Sequence, residues 1–275
     1  MVPPARLPGP RPRKALGQHF LRDSGVLQDI AAAVECPPGG LVLEVGAGTG
    51  QLTEVLLERG FPVLALEIEP RLIEHLGRRF RNASNLHIVE ADARTLDTAA
   101  VIPPGTPFSL VGNLPYFAAN PIIRHFLEGH PRPRSMVVMI QREVAREITA
   151  PAGDWSLLTI SVQVYAEARS LFDVPPEAFD PPPAVYSSVI RMDLRPEPLV
   201  QEARIAEFFH FVSKTFRNPR KQIHNSLARG VWLPPGGARA ALEKAGIDAT
   251  RRPETLDIAD WLRLLDACEE VRASG

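Results

Sequence analysis

The chain has 275 residues, 45% of them hydrophobic and 23% charged, a composition typical of a globular protein long enough for one large domain and a smaller one. The formal net charge of −1 gives no indication of a nucleic-acid partner. No apolar run approaches the ~20 residues of a membrane span, and the N-terminus lacks the apolar core of a signal peptide. A cytoplasmic protein is therefore expected. The two cysteines, Cys36 and Cys268, have no metal-ligand spacing, and no metal site is expected.

The N-terminal residues 1–15 are rich in proline and basic side chains and have no hydrophobic periodicity, which predicts a flexible basic tail. A helix is predicted next, over about 24–34, with Asp23 or Ser24 as its cap. From there to about residue 140, short apolar runs alternate with helical segments. The runs predict strands over 41–45, 62–67, 86–89, 108–112 and 136–140, and helices over 51–59 and 70–81. This alternation predicts βαβ units and a mostly parallel sheet.

The pattern changes after about Phe172, where shorter extended segments, notably 185–192, could add an antiparallel edge to the sheet. From about Leu199 the chain is predicted to be helical to its end, with breaks at Pro219 and at 234–237. A boundary near 195–198 follows from this change. The predicted organisation is a tail of residues 1–15, an α/β domain of residues 16–197 and a helical domain of residues 198–275.

Candidate ligand-binding residues follow three successive predicted strands. Gly46 to Gly50 forms a G-x-G-x-G turn, which lacks the spacing of a dinucleotide site and is not followed by a phosphate-binding lysine. Glu67 could accept hydrogen bonds from a ribose diol, and Asp92 from an adenine amine. Each candidate also has a plainer interpretation. The glycine-rich turn could be a tight packing turn, Glu67 a solvated carboxylate at a strand end, and Asp92 a turn-forming residue. Because all three lie at carboxyl ends of strands, together they favour a nucleoside cofactor.

Asn113-Leu114-Pro115-Tyr116 follows the fourth predicted strand and is the most informative segment. An Asn side-chain oxygen and the Leu114 carbonyl can both accept hydrogen bonds from the N6 amine of adenine, whose lone pair is otherwise delocalised into the ring. Pro115 fixes the backbone, and Tyr116 offers a face on which a base can stack. The plain alternative is a turn with a partly buried tyrosine.

Basic residues cluster at two places in this nearly neutral chain, and together they predict one anion-facing surface. A solvated surface without a partner is the alternative. The clusters comprise Arg11, Arg13 and Lys14 near the N-terminus and Lys214, Arg217, Arg220 and Lys221 toward the C-terminus.

These motifs resemble those of the ribosomal RNA adenine dimethyltransferases, a family of class I S-adenosylmethionine methyltransferases. Three further segments carry the resemblance, which covers about residues 14–261: 16–21 with Gln18-His19-Phe20-Leu21, 179–187 from Phe179 to Ser187, and 216–227 with its basic helix. The fold it implies is α/β, a Rossmann-like class I methyltransferase sheet with a small C-terminal helical domain.

The resemblance also implies roles for individual residues. Cofactor contacts would come from His19, Leu21, Gly46, Glu67, Asp92 and Asn113. Asn113 and Leu114 would hold the target amine, and Tyr116 and Phe179 would sandwich the flipped adenine. Without the resemblance, His19 would be taken as a surface histidine and Phe179 as a core residue. For an RNA substrate of this kind, the two basic clusters would supply contacts with phosphates, from Arg11, Arg13, Lys14, Arg217, Arg220 and Lys221.

Within the family, residues 181–183 and 220–227 resemble the branch that dimethylates two adjacent adenosines near the 3′ end of 16S rRNA, in the small ribosomal subunit or its precursor, more than the resistance branch that modifies large-subunit rRNA. That branch implies a role in ribosome biogenesis, and a monomer is expected. Trp155, Ala184 and Tyr186 depart from the common family pattern and could alter RNA contacts. The rival classes are a Rossmann oxidoreductase, a non-catalytic assembly factor, and a DNA or protein-glutamine methyltransferase.

Overall fold

The structure, a computed structural model, describes residues 10, 18–217 and 221–274. By its internal contacts it divides into two compact units. The first consists of the described residues up to Ala145 together with Ala168–Leu194, and the second of Arg146–Glu167 together with the described residues from Arg195 onward.

The described strands belong to the first unit, apart from residues 166–167, which belong to the second. They are β1 Phe20–Leu21, β2 Leu41–Val45, β3 Val63–Glu67, β4 Leu86–Glu90, β5 Phe108–Asn113, β6 Ser135–Gln141, β7 Ala166–Val174, β8 Phe179–Asp180 and β9 Ser187–Leu194. The helices along this part of the chain are α1 Ser24–Ala33, α2 Gln51–Glu58, α3 Pro70–Arg79, α4 Thr98–Val101, α5 Ala119–Glu128, α6 Arg142–Ile148 and α7 Leu157–Gln163. Residues 146–148 of α6 and all of α7 belong to the second unit.

The main sheet has the strand order β4-β3-β2-β5-β6-β9-β7. Strands β2 to β6 pair parallel with one another, and β9 pairs antiparallel with β6. The predicted parallel sheet with an antiparallel addition is therefore confirmed. The sheet core includes Val42, Leu110 and Val138, none of which is exposed. Because β2 is buried on both faces, its sequence is continuously apolar except for Glu44.

The strand order reverses between β2 and β5, so the crevice at their carboxyl ends is the topological switch point where sheets of this kind bind ligands. Gly112 permits close packing of the strands at this place, since a Cβ atom there would lie 2.6 Å from the Val45 carbonyl oxygen. A separate two-stranded ladder, β1 with β8, pairs Leu21 with Phe179.

The second unit is helical in its C-terminal part, as predicted. Its helices after α7 are α8 Ile205–Thr215, α9 Ile223–Gly230, α10 Gly237–Ala245 and α11 Ile258–Ala273. They pack around Phe208, Phe211 and Trp261, which are all buried. The predicted break at Pro219 lies outside the described residues, whereas the break at 234–237 is present between α9 and α10.

Some details differ from the sequence-based expectations. Helix α3 ends at Arg79, two residues before the predicted end, and helices α4, α5, α6 and α7 were not predicted. The contact pattern also groups Arg146–Glu167 with the C-terminal helices. The single predicted boundary near residue 195 instead places this segment in the α/β domain. The predicted tail, residues 1–15, lies outside the described residues apart from residue 10. The assignment of domain roles remains a prediction.

Candidate active site

The carboxyl ends of β2, β3 and β5 open into a cavity of about 400 Å³. Every described residue to which the sequence analysis gives a role in cofactor or adenine binding lies in its wall. These residues are His19, Leu21, Gly46, Glu67, Asp92, Asn113, Leu114, Tyr116 and Phe179. The sequence therefore predicted which side chains meet, while their individual roles remain predictions.

The glycine-rich turn between β2 and α2 forms one wall. The amide of Gly46 donates to the Leu66 carbonyl at 2.9 Å, which ties the turn to the end of β3. Gly50, which caps α2, has a φ of +83°, and a Cβ atom at this position would lie 2.6 Å from the Phe80 ring. The turn thus requires glycine at Gly50 for its backbone conformation and for the close approach of α3.

Glu67 is buried at the end of β3 and accepts three backbone hydrogen bonds. Its Oε2 accepts from the Gly48 amide at 2.8 Å, and its Oε1 accepts from the amides of Ile68 and Glu69 at 2.9 and 3.0 Å. These bonds lock the carboxylate against the glycine-rich turn. Oε1 already accepts two bonds, whereas Oε2 keeps a second lone pair, so the fixed carboxylate can still accept from a ligand hydroxyl through Oε2.

Asp92 forms a bidentate pair with Arg94. The Arg94 Nη2 donates to Asp92 Oδ2 at 2.6 Å and its Nε to Oδ1 at 2.9 Å. The hydrogen bonds from Arg94 hold the pKa of Asp92 below its usual range, so the carboxylate is an acceptor at neutral pH. A ligand amine at Asp92 would share these oxygens with the guanidinium.

Glu44 is a cavity-wall carboxyl group that the sequence analysis did not single out. It is fully buried, and the Thr53 hydroxyl donates to its Oε2 at 2.6 Å. Burial raises the pKa of Glu44 to about 7; the Thr53 bond opposes this shift and the nearby Glu67 adds to it. A charged residue in the middle of an otherwise apolar strand was the signal that could have identified it.

Asn113 ends β5 at the mouth of the cavity. Its Nδ2 donates to the backbone carbonyl of His19 at 3.1 Å, which leaves Oδ1, an atom that only accepts, for a ligand. The neighbouring Leu114 is buried, and its amide donates to the Met139 carbonyl at 3.1 Å. The segment is therefore fixed from both sides by backbone carbonyl groups.

Tyr116 is held through its hydroxyl group. That oxygen lies 2.8 Å from the Ser187 Oγ, and the Tyr116 ring is stacked on the His19 ring with centroids 6.1 Å apart. Partial burial raises the pKa of Tyr116, so the phenol is neutral at physiological pH. Ser187 lies in one of the sequence motifs, but the sequence predicted no role for it, because its partner Tyr116 is 71 residues away in the chain.

The β1–β8 ladder brings the segment around His19 to the same cavity. Leu21 pairs with Phe179, both side chains are buried, and His19 Nδ1 lies 2.7 Å from the Pro181 carbonyl oxygen. This ladder explains how residues 158 positions apart reach one site.

Only some of the RNA-binding candidates lie among the residues that the structure describes. Arg11, Arg13, Lys14 and Arg220 lie outside the described residues, whereas Arg217 and Lys221 are described and exposed. Among the described residues, no group of three or more His, Cys, Asp or Glu side chains could hold a metal ion. In the same part of the chain, no helix combines the length and apolar character needed to cross a membrane.

The wall chemistry fits S-adenosylmethionine. Four carboxyl groups, Glu44, Glu67, Glu69 and Asp92, surround the cavity, whose remaining wall includes apolar side chains such as Leu52 and Leu72. A ligand with a sulfonium, an ammonium group, a ribose diol and an adenine ring suits carboxylate acceptors beside apolar walls.

Comparisons with known proteins agree with this geometry. A family model described as Ribosomal RNA adenine dimethylase matches residues 10–270. Two relatives named "Ribosomal RNA small subunit methyltransferase A" are similar: one from Dehalococcoides mccartyi is 38% identical over 92% of this chain and 87% of its own, and one from Desulfitobacterium hafniense is 40% identical over 94% and 93%.

Two solved structures are similar over nearly the whole chain. The 23S rRNA methyltransferase ErmE has a TM-score of 0.71 and 32% identity, covering 91% of this chain and 99% of its own. A dimethyladenosine transferase from Plasmodium falciparum has a TM-score of 0.77 and 25% identity, covering 92% and 98%.

The doubly wound sheet with its acidic, glycine-lined crevice is that of a class I methyltransferase, a class whose fold implies the use of S-adenosylmethionine. Within this class, the chain belongs to the ribosomal RNA adenine dimethylase family and is an rRNA adenine dimethyltransferase. The fold class and the family expected from the sequence are thereby confirmed.

Proposed function

We propose that the protein transfers methyl groups from S-adenosylmethionine to N6 of two adjacent adenosines near the 3′ end of 16S rRNA, giving N6,N6-dimethyladenosine, and that this reaction is part of small-subunit biogenesis. The observation that carries the proposal is the position of Asn113 and Tyr116 in the same cavity as Glu67 and the glycine-rich turn. The names and 38–40% identities of the small-subunit relatives support the choice of RNA.

The cofactor would be held by residues that the chain already fixes. Glu67 would accept from the ribose diol and Asp92 from the adenine amine, and Gly46 would allow its backbone to approach the ligand. His19 and Leu21 would close the cavity from the N-terminal side. When bound, S-adenosylmethionine supplies a methyl group that its sulfonium has already activated, so positioning is the main task left to the protein.

Asn113 and Leu114 would orient the nucleophile. With Nδ2 committed to the His19 carbonyl, the Asn113 Oδ1 accepts one N6–H bond, and the Leu114 carbonyl accepts the other. These acceptors would aim the N6 lone pair toward the methyl donor. Correct orientation of two reactants can contribute ~7–11 kcal/mol to lowering a barrier.

Tyr116 and Phe179 would hold the adenine after it leaves its stack in RNA. Unstacking costs a few kcal/mol, and an aromatic face returns ~1–3 kcal/mol per base. The Ser187 hydroxyl fixes the Tyr116 ring through the 2.8 Å bond, which lowers the entropy lost when the base binds. No catalytic base is needed, because the methylated amine is acidic while it is cationic and can release its proton to water.

The basic residues would hold rRNA phosphates. Arg217 and Lys221 are exposed close to the start of α9, and Arg11, Arg13, Lys14 and Arg220 are assigned to the same task on sequence alone. Phosphate contacts make binding fall steeply with salt.

The deciding experiment is methyl transfer from labelled S-adenosylmethionine to under-methylated small ribosomal subunits, with large subunits in parallel and mass analysis of the nucleosides. N6,N6-dimethyladenosine in small-subunit rRNA alone is the expected result. Label in large-subunit RNA would instead favour the activity named for ErmE, and no transfer to either subunit would contradict the proposed substrate.

The proposed role in biogenesis has its own test. Cells that lack the protein should accumulate small-subunit precursors. Cells that carry Asn113→Ala, a variant expected to bind RNA without methylating it, should show whether binding or methyl transfer is needed. Normal precursor levels in the deletion strain would contradict the role.

A further inference from the structure

Two exposed aromatic side chains are chain neighbours of Tyr116 and of its hydrogen-bond partner Ser187, and neither has a role in the mechanism above. Phe117 has 67% of its surface exposed and Tyr186 has 43%. Large exposed aromatic residues next to a binding cavity often mark a contact surface, because burying them on a ligand is favourable. We call these two residues the exposed aromatic pair.

The position of Phe117 follows from that of Tyr116, the residue directly before it in the chain. Its side chain lines the cavity while most of its surface faces solvent, so it lies where the cavity opens. The backbone around it is fixed, since the Ala118 amide donates to the Pro115 carbonyl at 2.9 Å. A base outside the cavity would meet this ring.

Tyr186 is placed by Ser187, the first residue of β9. Ser187 is fully buried and bonds the Tyr116 hydroxyl, whereas Tyr186 is largely exposed, as expected for neighbours in an extended segment. The same short segment therefore fixes Tyr116 inside the cavity and presents Tyr186 to solvent.

Arg142 orients the Tyr186 ring. The Arg142 amide donates to the Tyr186 carbonyl at 3.0 Å, and the guanidinium carbon lies 4.6 Å from the ring centroid. Arg142 Nε is buried without a hydrogen-bond partner, and Nη1 of the same guanidinium lies 3.9 Å from Asp173 Oδ2. A ring supported by a cation on one face can stack a base on the other with little further loss of freedom.

We propose that the exposed aromatic pair stacks the adenosine adjacent to the one held in the cavity. The inference rests on the proposed function, because two adjacent target adenosines require one to wait outside while the other is modified. Nucleotides next to a flipped base lose a stacking neighbour, and an aromatic face replaces that contact. Arg142 is the positioning residue, acting through Tyr186.

The test compares Tyr186→Leu and Phe117→Leu with Tyr186→Phe as the matched control. Leucine removes the aromatic face, whereas phenylalanine keeps it and removes only the hydroxyl group. Transfer to under-methylated small subunits should fall about tenfold in kcat/KM for each leucine variant and stay close to wild type for Tyr186→Phe. The Kd for S-adenosylmethionine, measured by calorimetry, should be unchanged in all three.

Three results would overturn the proposal: wild-type kcat/KM in both leucine variants, equal losses in Tyr186→Phe and Tyr186→Leu, or a weakened cofactor Kd that accounts for the loss. Failure of the proposed function is distinguishable from these, because in that case the wild-type protein itself would not methylate the small subunit.

Discussion

The side-chain amide of Asn113 donates to the backbone carbonyl of His19, 94 residues earlier in the chain, at 3.1 Å. This bond decides which end of the amide is left for a ligand. It also ties the mouth of β5 to the segment that begins the β1–β8 ladder. A residue proposed to orient the target amine is thus itself oriented by the segment proposed to cover the cofactor.

Replacing Asn113 by alanine should abolish most methyl transfer. The variant loses both the N6 acceptor and the bond to His19, and misplacement of a reacting group costs about a hundredfold in rate. Single-turnover kinetics would measure this loss, and filter binding should show that RNA binding persists. Asn85→Ala is a matched control, because Asn85 Nδ2 makes a similar bond, to the Phe61 carbonyl at 2.9 Å, outside the cavity wall. Loss of RNA binding in Asn113→Ala would contradict the assigned role.

Tyr116→Ala should reduce turnover by about one to two orders of magnitude, because it removes a stacking face for the flipped adenine. Ser187→Ala should cost less, since the ring remains and only the 2.8 Å anchor of its hydroxyl is lost. Steady-state kinetics and cofactor calorimetry on the two variants would establish this order. A Tyr116→Ala enzyme with an unchanged rate would remove Tyr116 from the base site.

Glu44 should make the free energy of unfolding depend on pH. Its folded-state pKa of about 7 lies above the ordinary value of 4.5, so the folded protein holds a proton that the unfolded chain releases. The free energy of unfolding should therefore fall by up to about 3 kcal/mol as pH rises from about 4.5 to about 7, and then level off.

Glu44→Gln should remove this fall, which urea titrations at several pH values would detect. Thr53→Val offers the reciprocal test, since it removes the hydrogen bond that favours the carboxylate and should move the upper end of the pH window higher. Identical pH profiles in wild type and Glu44→Gln would show that folding leaves the pKa of Glu44 unshifted.

Gly50→Ala should destabilise the protein more than Gly60→Ala. Both glycines have positive φ, +83° and +78°, so both alanines carry about 1–2 kcal/mol of backbone strain. At Gly50 the added Cβ would also meet the Phe80 ring at 2.6 Å, whereas at Gly60 nothing lies within 4 Å. Overpacking of this kind adds about 1–3 kcal/mol. Equal midpoints of chemical denaturation for the two variants would contradict the geometry of the glycine-rich turn.

Arg217→Ala and Lys221→Ala should each weaken RNA binding and lower the slope of log K against log salt by about 1, as expected when one phosphate contact is lost. Arg81→Ala is a suitable control, because Arg81 is also exposed but lies in the first unit, two residues after the end of α3. An unchanged slope in both test variants would place the RNA on another surface.

The sequence predicted the sheet well because its central strands are buried on both faces. Leu41–Val45 is apolar except for Glu44, and Ser135–Gln141 is apolar between its two terminal residues; runs of this kind are stable as strands only inside a covered sheet. Short elements were less predictable. The strand Phe20–Leu21 has only two residues, and its existence depends on a partner, Phe179–Asp180, far along the chain.

The candidate site was predictable for residues at the carboxyl ends of strands, such as Glu67 and Asn113, because the strands themselves could be predicted. Contacts between distant side chains were not. The contact of Tyr116 with Ser187, 71 residues away, carries no periodic signal, and the raised pKa of Glu44 depends on burial that only the folded protein creates. Motif resemblance supplied part of this missing information for His19 and Phe179.

The β1–β8 ladder makes the two proposed ligands interdependent. Leu21, assigned to the cofactor, and Phe179, assigned to the adenine, are paired residues of one ladder, and the Arg22 amide extends it by donating to the Ala178 carbonyl at 2.8 Å. A ligand that restrains either strand also restrains the other. By linkage, the factor by which bound cofactor tightens RNA binding must equal the factor by which bound RNA tightens cofactor binding. The enzyme would then retain its methyl donor most firmly at the moment when the nucleotide is in place.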